Sequence, residues 1–397
     1  MNNKILKLSD ECTGCFACYN ACTKQAITMT EDDEGFLRPS IDFQKCTGCG
    51  LCDMVCPRIT SKERYSMQIA YFGWSKSDVT RKESSSGGLF AELSHIVLSN
   101  DGVVYGASFD YSGLIRLECH STDEVPLKEL QKSKYVQSYI GDAYKRIRKD
   151  LQNDRMVMFC GTPCQAEGLR SFLRKDYDKL VIVDFICHGV PSMAHLRKHI
   201  EYLNLGKISK IEFRPKNRAW VDDIEYTFSK KKSASPIKYS ILRNQWRMDE
   251  YFCTFENCKS IRPSCMICQH CNGQRSADIT LADFWGIYKY MPELYDPKGI
   301  SLVLGNTKHG TSFLQMLLSS ERCEMHELPL KHAEYVYERV RSSVVSGYDK
   351  SQRDTFVHDL YTMDYKAANK KNGVYTPLYK KLYANLKMNI YKLINRK

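Results

Sequence analysis

Residues 12–22 read CTGCFACYNAC and residues 46–56 read CTGCGLCDMVC. Both runs have the spacing C-x2-C-x2-C-x3-C, so Cys12, Cys15, Cys18 and Cys22 are repeated by Cys46, Cys49, Cys52 and Cys56. Three thiolates in a tight loop can wrap three irons of an iron–sulfur cube, and the fourth iron takes its ligand from the distant run. That crossing predicts one [4Fe–4S] cluster on Cys12, Cys15, Cys18 and Cys56, and a second on Cys46, Cys49, Cys52 and Cys22. Gly14 and Gly48 stand between the first two cysteines of each run, where a small residue lets backbone amides approach sulfur. Pro57 follows the second run, whereas Thr23 follows the first. Four thiolates also suit structural zinc, but two full copies of this spacing favour iron.

The pattern is that of a bacterial two-cluster ferredoxin. A module of some sixty residues cannot bury a stable apolar core alone, so its clusters are expected to hold it together as well as carry electrons. The whole chain has 397 residues, 43% hydrophobic and 26% charged, enough for that module and a larger body. Its eighteen cysteines would be many for a secreted disulfide scaffold of this length, and the opening MNNKILKLSDECTGC has no long apolar stretch. With no run of eighteen apolar residues, the expectation is a cytoplasmic protein without a membrane span. The net charge of +12 is uneven. Residues 1–60 hold six Lys or Arg against eight Asp or Glu, and residues 370–397 hold eight Lys or Arg and no acid. The excess sits in the tail, so nucleic-acid binding by the body is not implied.

Beyond the module, Ser84-Ser85-Ser86-Gly87-Gly88 opens an amphipathic pattern of Leu89, Phe90, Leu93, Ile96 and Val97. Serines can cap a helix there and glycines let a bulky anion approach its free amides; a plain glycine-softened helix start reads equally well. GVVYGASF from Gly102, MVMFC at 156–160 and LVIVDFI at 180–186 read as buried strands. Gly161-Thr162-Pro163-Cys164 starts a helix, placing Cys164 where free amides and the helix dipole favour a thiolate. Cys187-His188-Gly189 ends the next strand, so two strand ends deliver cysteines to loops. Cys265 and Cys268 form a C-x2-C pair, with Cys258 and Cys271 nearby. Spacing leaves three readings open: a local metal site on Cys258, Cys265, Cys268 and Cys271; a long-range site joining Cys164 and Cys187 to Cys265 and Cys268; or a redox disulfide. Residues 211–215 and DIEYTFS from Asp223 read as paired strands, 230–240 as a hairpin tip or linker, and GISLVLGN with HGTSFLQMLLSS as strand, turn and helix closing a second α/β lobe. Residues 345–373 show little periodicity.

SSSGGLFAEL, SKYVQS, CGTPCQAEGL, DFICHGVPS, RPSCMIC and ADITLADFWG, in this order, resemble the family of the coenzyme F420 hydrogenase/dehydrogenase beta subunit over about residues 65–310. The resemblance implies a flavin-containing iron–sulfur oxidoreductase. It places the family's shared cysteines on Cys164, Cys187, Cys265 and Cys268 as a third [4Fe–4S] site. It implies FAD beneath Ser86, Gly87 and Gly88, with Lys134 pairing with the pyrophosphate and Ser138 donating a hydrogen bond. His188 is the candidate for moving a proton, or for a supporting bond near a cluster. Asp283 and Trp285 pack the site or react in it, and Cys119 and Cys323 are ordinary buried thiols.

The expected fold is therefore an α+β ferredoxin-like two-cluster module followed by an α/β flavin- and cluster-binding body with a second smaller lobe. The division falls at 1–62, 63–200, 201–345 and a 346–397 extension. In the tail, Leu378, Leu382, Leu386, Ile390, Leu393 and Ile394 recur at helical spacing among lysines. Such a helix suits an anionic membrane surface, another protein or this chain's own body. The expected function is electron passage from a ferredoxin or another redox protein, through the clusters to FAD, and on to an unidentified small-molecule or glycan-related substrate. The alternatives are oxidation of a reduced deazaflavin and a flavin-free relay component of a larger redox complex.

Overall fold

Val103 and Tyr105 of one strand point to one side and Val104 to the other; Val157, Met158 and Phe159, then Leu180, Val181, Ile182 and Val183, do the same. Residues that alternate sides yet are apolar throughout make strands buried on both faces. In the computed structural model, which describes residues 4–60, 63–216, 224–229, 236–241, 249–335, 338 and 348–377, these strands form the middle of one large sheet.

The strands are β1 (Ile27–Glu31), β2 (Leu37–Ile41), β3 (Ile69–Ser75), β4 (Val103–Asp110), β5 (Arg116–Ser121), β6 (Val157–Cys160), β7 (Leu180–Phe185), β8 (Lys207–Glu212), β9 (Ile224–Ser229), β10 (Ile237–Ile241), β11 (Ile279–Asp283), β12 (Ser301–Gly305) and β13 (Cys323–Glu327). Among the described residues the large sheet runs β13-β3-β12-β11-β7-β6-β4-β5. Pairing is parallel from β4 through β6 and β7 to β11, and antiparallel at both flanks. Helices Leu89–Leu98 and Lys308–Ser319 cover one face through Leu89, Leu93, Val97, Phe313, Leu314 and Leu317.

The other face is shared between helices of the body and the cysteine-rich module. Phe16, Ala17 and Val55 of the module pack in the same core as Tyr144, Phe159 and Leu169. The module also carries the β1–β2 hairpin, Ile27 opposite Ile41. Hydrogen bonds fix its seat: Ser171 Oγ donates to Val55 O at 2.7 Å, and Asn20 Nδ2 to Gly141 O at 2.9 Å. Gly168 allows a close approach, because a Cβ there would lie 2.9 Å from Cys15 Cβ.

Several expectations need correcting. The strand GISLVLGN does not close a second α/β lobe, because β12 pairs with β11 and β3 inside the main sheet. The smaller lobe is instead the antiparallel sheet β10-β9-β8, where β9 does pair with β8 as expected. The strand expected at 211–215 begins earlier, at Lys207, and ends at Glu212. Part of the expected 230–240 linker is β10; residues 230–235 lie outside the described residues. Residues 345–373 contain two helices, Lys350–Thr362 and Tyr365–Lys371, capped by Asp349 and Asp364. Their buried side, Phe356, Val357, Leu360 and Tyr365, is narrow, which hides it from a search for long apolar stripes. The basic tail helix from Leu378 onward lies outside the described residues. Among the described residues no helix is long and apolar enough to cross a membrane.

Candidate iron–sulfur and cofactor sites

Each C-x2-C-x2-C-x3-C run folds into the same local shape. Gly14 and Phe16 have left-handed backbone angles (φ +64° and +67°), matched by Gly48 and Gly50 (both +72°), and a short helix follows each. The turns bring the sulfurs inward around two separate hollows. One, of about 360 Å³, is lined by Cys12, Cys15, Cys18 and Cys56, with Ile5, Leu8, Met29 and Pro39. The other, of about 410 Å³, is lined by Cys22, Cys46, Cys49 and Cys52, with Ile27 and Ile41. The two sets of four are the crossed sets that the spacing anticipated, and we call them the inner and outer quartets. Cys15, Cys18 and Cys56 of the inner one are buried, while Cys49 of the outer one is exposed.

A third quartet lies in the body. Cys164 comes from the start of the helix Pro163–Leu173, whose Thr162 and Gln165 form a capping box. Cys187 follows β7 directly. Cys265 comes from the turn Pro263–Met266 and Cys268 from just beyond it. Strand ends and helix starts at one edge of a parallel sheet converge in this way. The sulfurs are close enough that Cys164, Cys187 and Cys265 each feel the charge of others in the set. Burial comes first and these neighbours second in raising the Cys187 thiol to about 12. Cys164 is pushed up to about 11 by burial, with Cys268 adding to the rise and a Thr162 hydrogen bond opposing it. A metal ion would favour the thiolate form of such half-buried, neighbouring sulfurs by compensating their charge.

The sulfurs are also supplied with donors. Gly189 N lies 3.4 Å from Cys187 Sγ, His270 N 3.4 Å from Cys268 Sγ, and Thr162 Oγ1 3.1 Å from Cys164 Sγ. In the outer quartet Ala26 N lies 3.3 Å from Cys22 Sγ. Among the described residues, the group of metal-capable atoms closing to within 4.8 Å is His199, Asp249 and Glu250, in the smaller lobe. The cysteine quartets are wider than that. Four thiolates in each set are the donors that an iron–sulfur cube takes.

The inner and body quartets adjoin. Cys15 feels the charge of Cys164, and Tyr144 Oη donates at 2.8 Å to the carbonyls of both Cys15 and Gln165. The 265–271 segment is held by Glu167, which meets Arg64 at 2.8 Å and His270 Nε2 at 3.3 Å. Of Cys258 and Cys271, the other half of the local alternative, Cys271 lies close enough for its charge to raise the Cys268 thiol. Cys258 Sγ lies 3.6 Å from His188 Nε2, and Cys271 Sγ donates to Cys268 O at 3.0 Å. His188 packs edge-on against Phe255 at 5.0 Å.

The expected flavin residues are largely engaged within the chain. No serine caps the helix Leu89–Leu98: its cap is Gly88, at φ +94°. Gly87 N donates to Ser301 Oγ at 2.9 Å and its carbonyl accepts from Ser75 N at 2.7 Å; Ser86 Oγ donates to Ile300 O. Ser138 Oγ accepts from Gln165 Nε2 at 2.9 Å. Lys134 Nζ donates to Gln131 O at 2.5 Å, and burial lowers it to about 7. Sequence reasoning passed over Lys216, Arg81 and Arg214. Lys216 Nζ donates to the carbonyls of Arg81, at 2.8 Å, and Ser86. Burial and then the Arg214 and Arg81 charges lower Lys216 to about 7. Asp283 accepts two bonds from Arg214, which lies over the Trp285 ring at 5.5 Å. Arg-Pro-Lys directly after a strand was the only sequence signal.

Comparison with known proteins adds an independent view. Residues 154–331 match the family described as the C terminus of the beta subunit of coenzyme F420 hydrogenase/dehydrogenase, and residues 11–59 match a 4Fe-4S dicluster domain. The F subunit of the F(420)H(2) dehydrogenase of Methanosarcina mazei is 24% identical over 245 residues, 58% of this chain and 68% of that protein. The coenzyme F420-dependent sulfite reductase of Methanocaldococcus jannaschii is 24% identical over 385 residues, covering 92% of this chain and 55% of its own length. The PorD subunit of the pyruvate synthase of Thermotoga maritima is 37% identical over 49 residues, 12% of this chain and 46% of its own. A chain of the F420-reducing [NiFe] hydrogenase complex of Methanosarcina barkeri aligns with 74% of this chain and 94% of its own, at 13% identity and a TM-score of 0.47. The resemblance drawn from the sequence strings is matched in both its parts, the body and the 4Fe-4S dicluster module, and the chain spans about half the length of two of these relatives.

Proposed function

We propose that this dicluster module, joined to a body of the F420 hydrogenase/dehydrogenase beta type, conducts electrons between a reduced redox protein and a second substrate. Cys12, Cys15, Cys18 and Cys56 hold one [4Fe–4S] cluster in this reading, Cys22, Cys46, Cys49 and Cys52 the second, and Cys164, Cys187, Cys265 and Cys268 the third. Such clusters supply one-electron chemistry, and a flavin beside them supplies hydride. The observation that carries the reading is the adjacency of the sites: Cys49 opens to the surface, Cys15 lies inside the module, and Cys15 feels the charge of the half-buried Cys164.

The residues of the chain divide the work. The exposed outer quartet receives a partner such as a ferredoxin. Gly168 and Tyr144 hold the inner quartet against the body. For FAD, Ser86 and Ser138 do not fit through their hydroxyls, which are taken by Ile300 O and Gln165; the fitting features are Gly88 and the cations Lys216, Arg81 and Arg214 near it, of which Arg81 and Arg214 are already paired with Asp296 and Asp283. His188 moves a proton at Nε2, with Cys258 Sγ 3.6 Å away. A second reading, use of a reduced deazaflavin, is favoured by the names of two relatives.

The experiment is anaerobic reduction of the full chain by two donors, a reduced two-cluster ferredoxin and reduced coenzyme F420, followed by visible absorbance. Bleaching by ferredoxin alone supports the main reading. Bleaching by the deazaflavin alone replaces it with the second, and bleaching by neither overturns both.

A further inference from the structure

Arg262 spans the inner quartet and the body quartet. Its backbone belongs to the body: its N–H donates to Val190 O at 2.9 Å, and its carbonyl accepts from Cys265 N at 3.0 Å. Its side chain reaches the module, where Nε donates to Cys12 O at 2.7 Å and Nη2 to Leu37 O at 3.0 Å. The third nitrogen, Nη1, is buried without a hydrogen-bond partner among the described residues. It lies 3.0 Å from where a Cβ on Gly14 would stand, inside the Cys12–Cys15 loop. The Phe36 ring lies 5.4 Å from the guanidinium carbon. The residue is 1% exposed.

A buried cation needs nearby negative charge. Asp32, the carboxylate on that side, is paired with Arg38 at 2.5 Å. Among the negative groups acting on the guanidinium, Cys12 and Cys265, one from each quartet, come before Asp32, and they oppose the lowering that burial imposes on Arg262; the contact itself is the bond from Nε to the Cys12 carbonyl.

We propose that Arg262 is a counter-ion shared by the inner and body quartets, making reduction easier at both sites and leaving the outer one unchanged. The proposal rests on reading the body quartet as a cluster site. Reduction adds one negative charge at a quartet, and a fixed cation in a low-dielectric interior stabilises that state more than the oxidised one. Arg262 acts through charge on groups that it does not ligate, so it is a positioning residue.

The test compares the anaerobic full-length protein with Arg262→Gln and Arg262→Lys, by iron and sulfide content and by a redox titration followed by electron paramagnetic resonance. For Arg262→Gln the expected result is unchanged iron, two midpoint potentials moved negative and the third unmoved. Arg262→Lys keeps the charge and loses the forked bonds to Cys12 and Leu37, so it is expected to stay near the parent's potentials. Unmoved potentials in Arg262→Gln at full iron content would overturn the proposal. Equal shifts in the two variants would also overturn it, by assigning the effect to the lost hydrogen bonds. If Arg262→Gln loses iron, Arg262→Lys carries the test: parent-like potentials support the proposal and shifted ones overturn it. A parent protein with about eight irons would overturn the body-cluster reading itself, before any variant is compared.

Discussion

The outer quartet and the body quartet use the same four-thiolate chemistry and reach it by opposite routes. Cys46, Cys49 and Cys52 sit within seven residues on one turn, joined by Cys22 from the repeated run. Cys164, Cys187, Cys265 and Cys268 span more than a hundred residues and meet because β6, β7 and the segment before β11 end at one edge of the sheet. The first site is exposed, with Cys49 open and Phe43, three residues before Cys46, 55% exposed. In the second all four cysteines are half-buried and none is open as Cys49 is. A locally built site can face a partner because it needs no fold around it, whereas a site assembled from distant strands is partly covered by the topology that makes it.

This contrast can be broken in graded ways. The largest effect is expected from removing iron with an oxidant and chelator. Residues 4–60 should lose their hydrogen-exchange protection while β4, β6 and β7 keep theirs, since the module's own small core consists of Ile5, Cys18, Ile27 and Cys56. Protection lost equally in both regions would erase the distinction. Next, Cys164→Ser should lose about four of about twelve irons and spare both ferredoxin signals; full iron content in that variant would remove Cys164 from the ligands.

Two substitutions probe the seam between the regions. Arg353 pairs with Glu34 of the module, its Nη1 at 2.7 Å, and its Nε donates to Ile261 O at 3.1 Å beside the body quartet. Arg353→Ala is expected to cost about 3 kcal/mol in denaturant unfolding. Gly168→Val, forced against Cys15, is expected to cost about 1–3 kcal/mol. The smallest effect concerns pH. Lys134 falls to about 7 when folded, against an ordinary value of about 10.4. The unfolded chain therefore binds the extra proton between those values, and stability rises with pH across that window. Lys134→Met should flatten that rise, as followed by the denaturation midpoint from pH 7 to 10.

What the sequence made legible follows the same division. The crossed ligand sets of the module came directly from spacing, because the turn that wraps a cluster is local. The apolar strands β4, β6 and β7, and the capped helix after Thr162, were equally readable. The choice between a local and a long-range body site was not, since which strand ends lie side by side is decided by pairing across the sheet. Cys258 and Cys271 had good spacing, yet Cys258 turns to His188 and Cys271 to a backbone carbonyl. Ser138 stood in a suggestive string but serves the capping-box glutamine. Arg262 was visible only as the residue before a proline, with nothing to show that its side chain crosses to Cys12.

The most direct measurement is iron and acid-labile sulfide per chain in the anaerobically purified, full-length protein. The account predicts about twelve of each, with paramagnetic signals from three clusters after reduction. About eight of each would contradict it, leaving Cys164, Cys187, Cys265 and Cys268 without the metal core proposed for them.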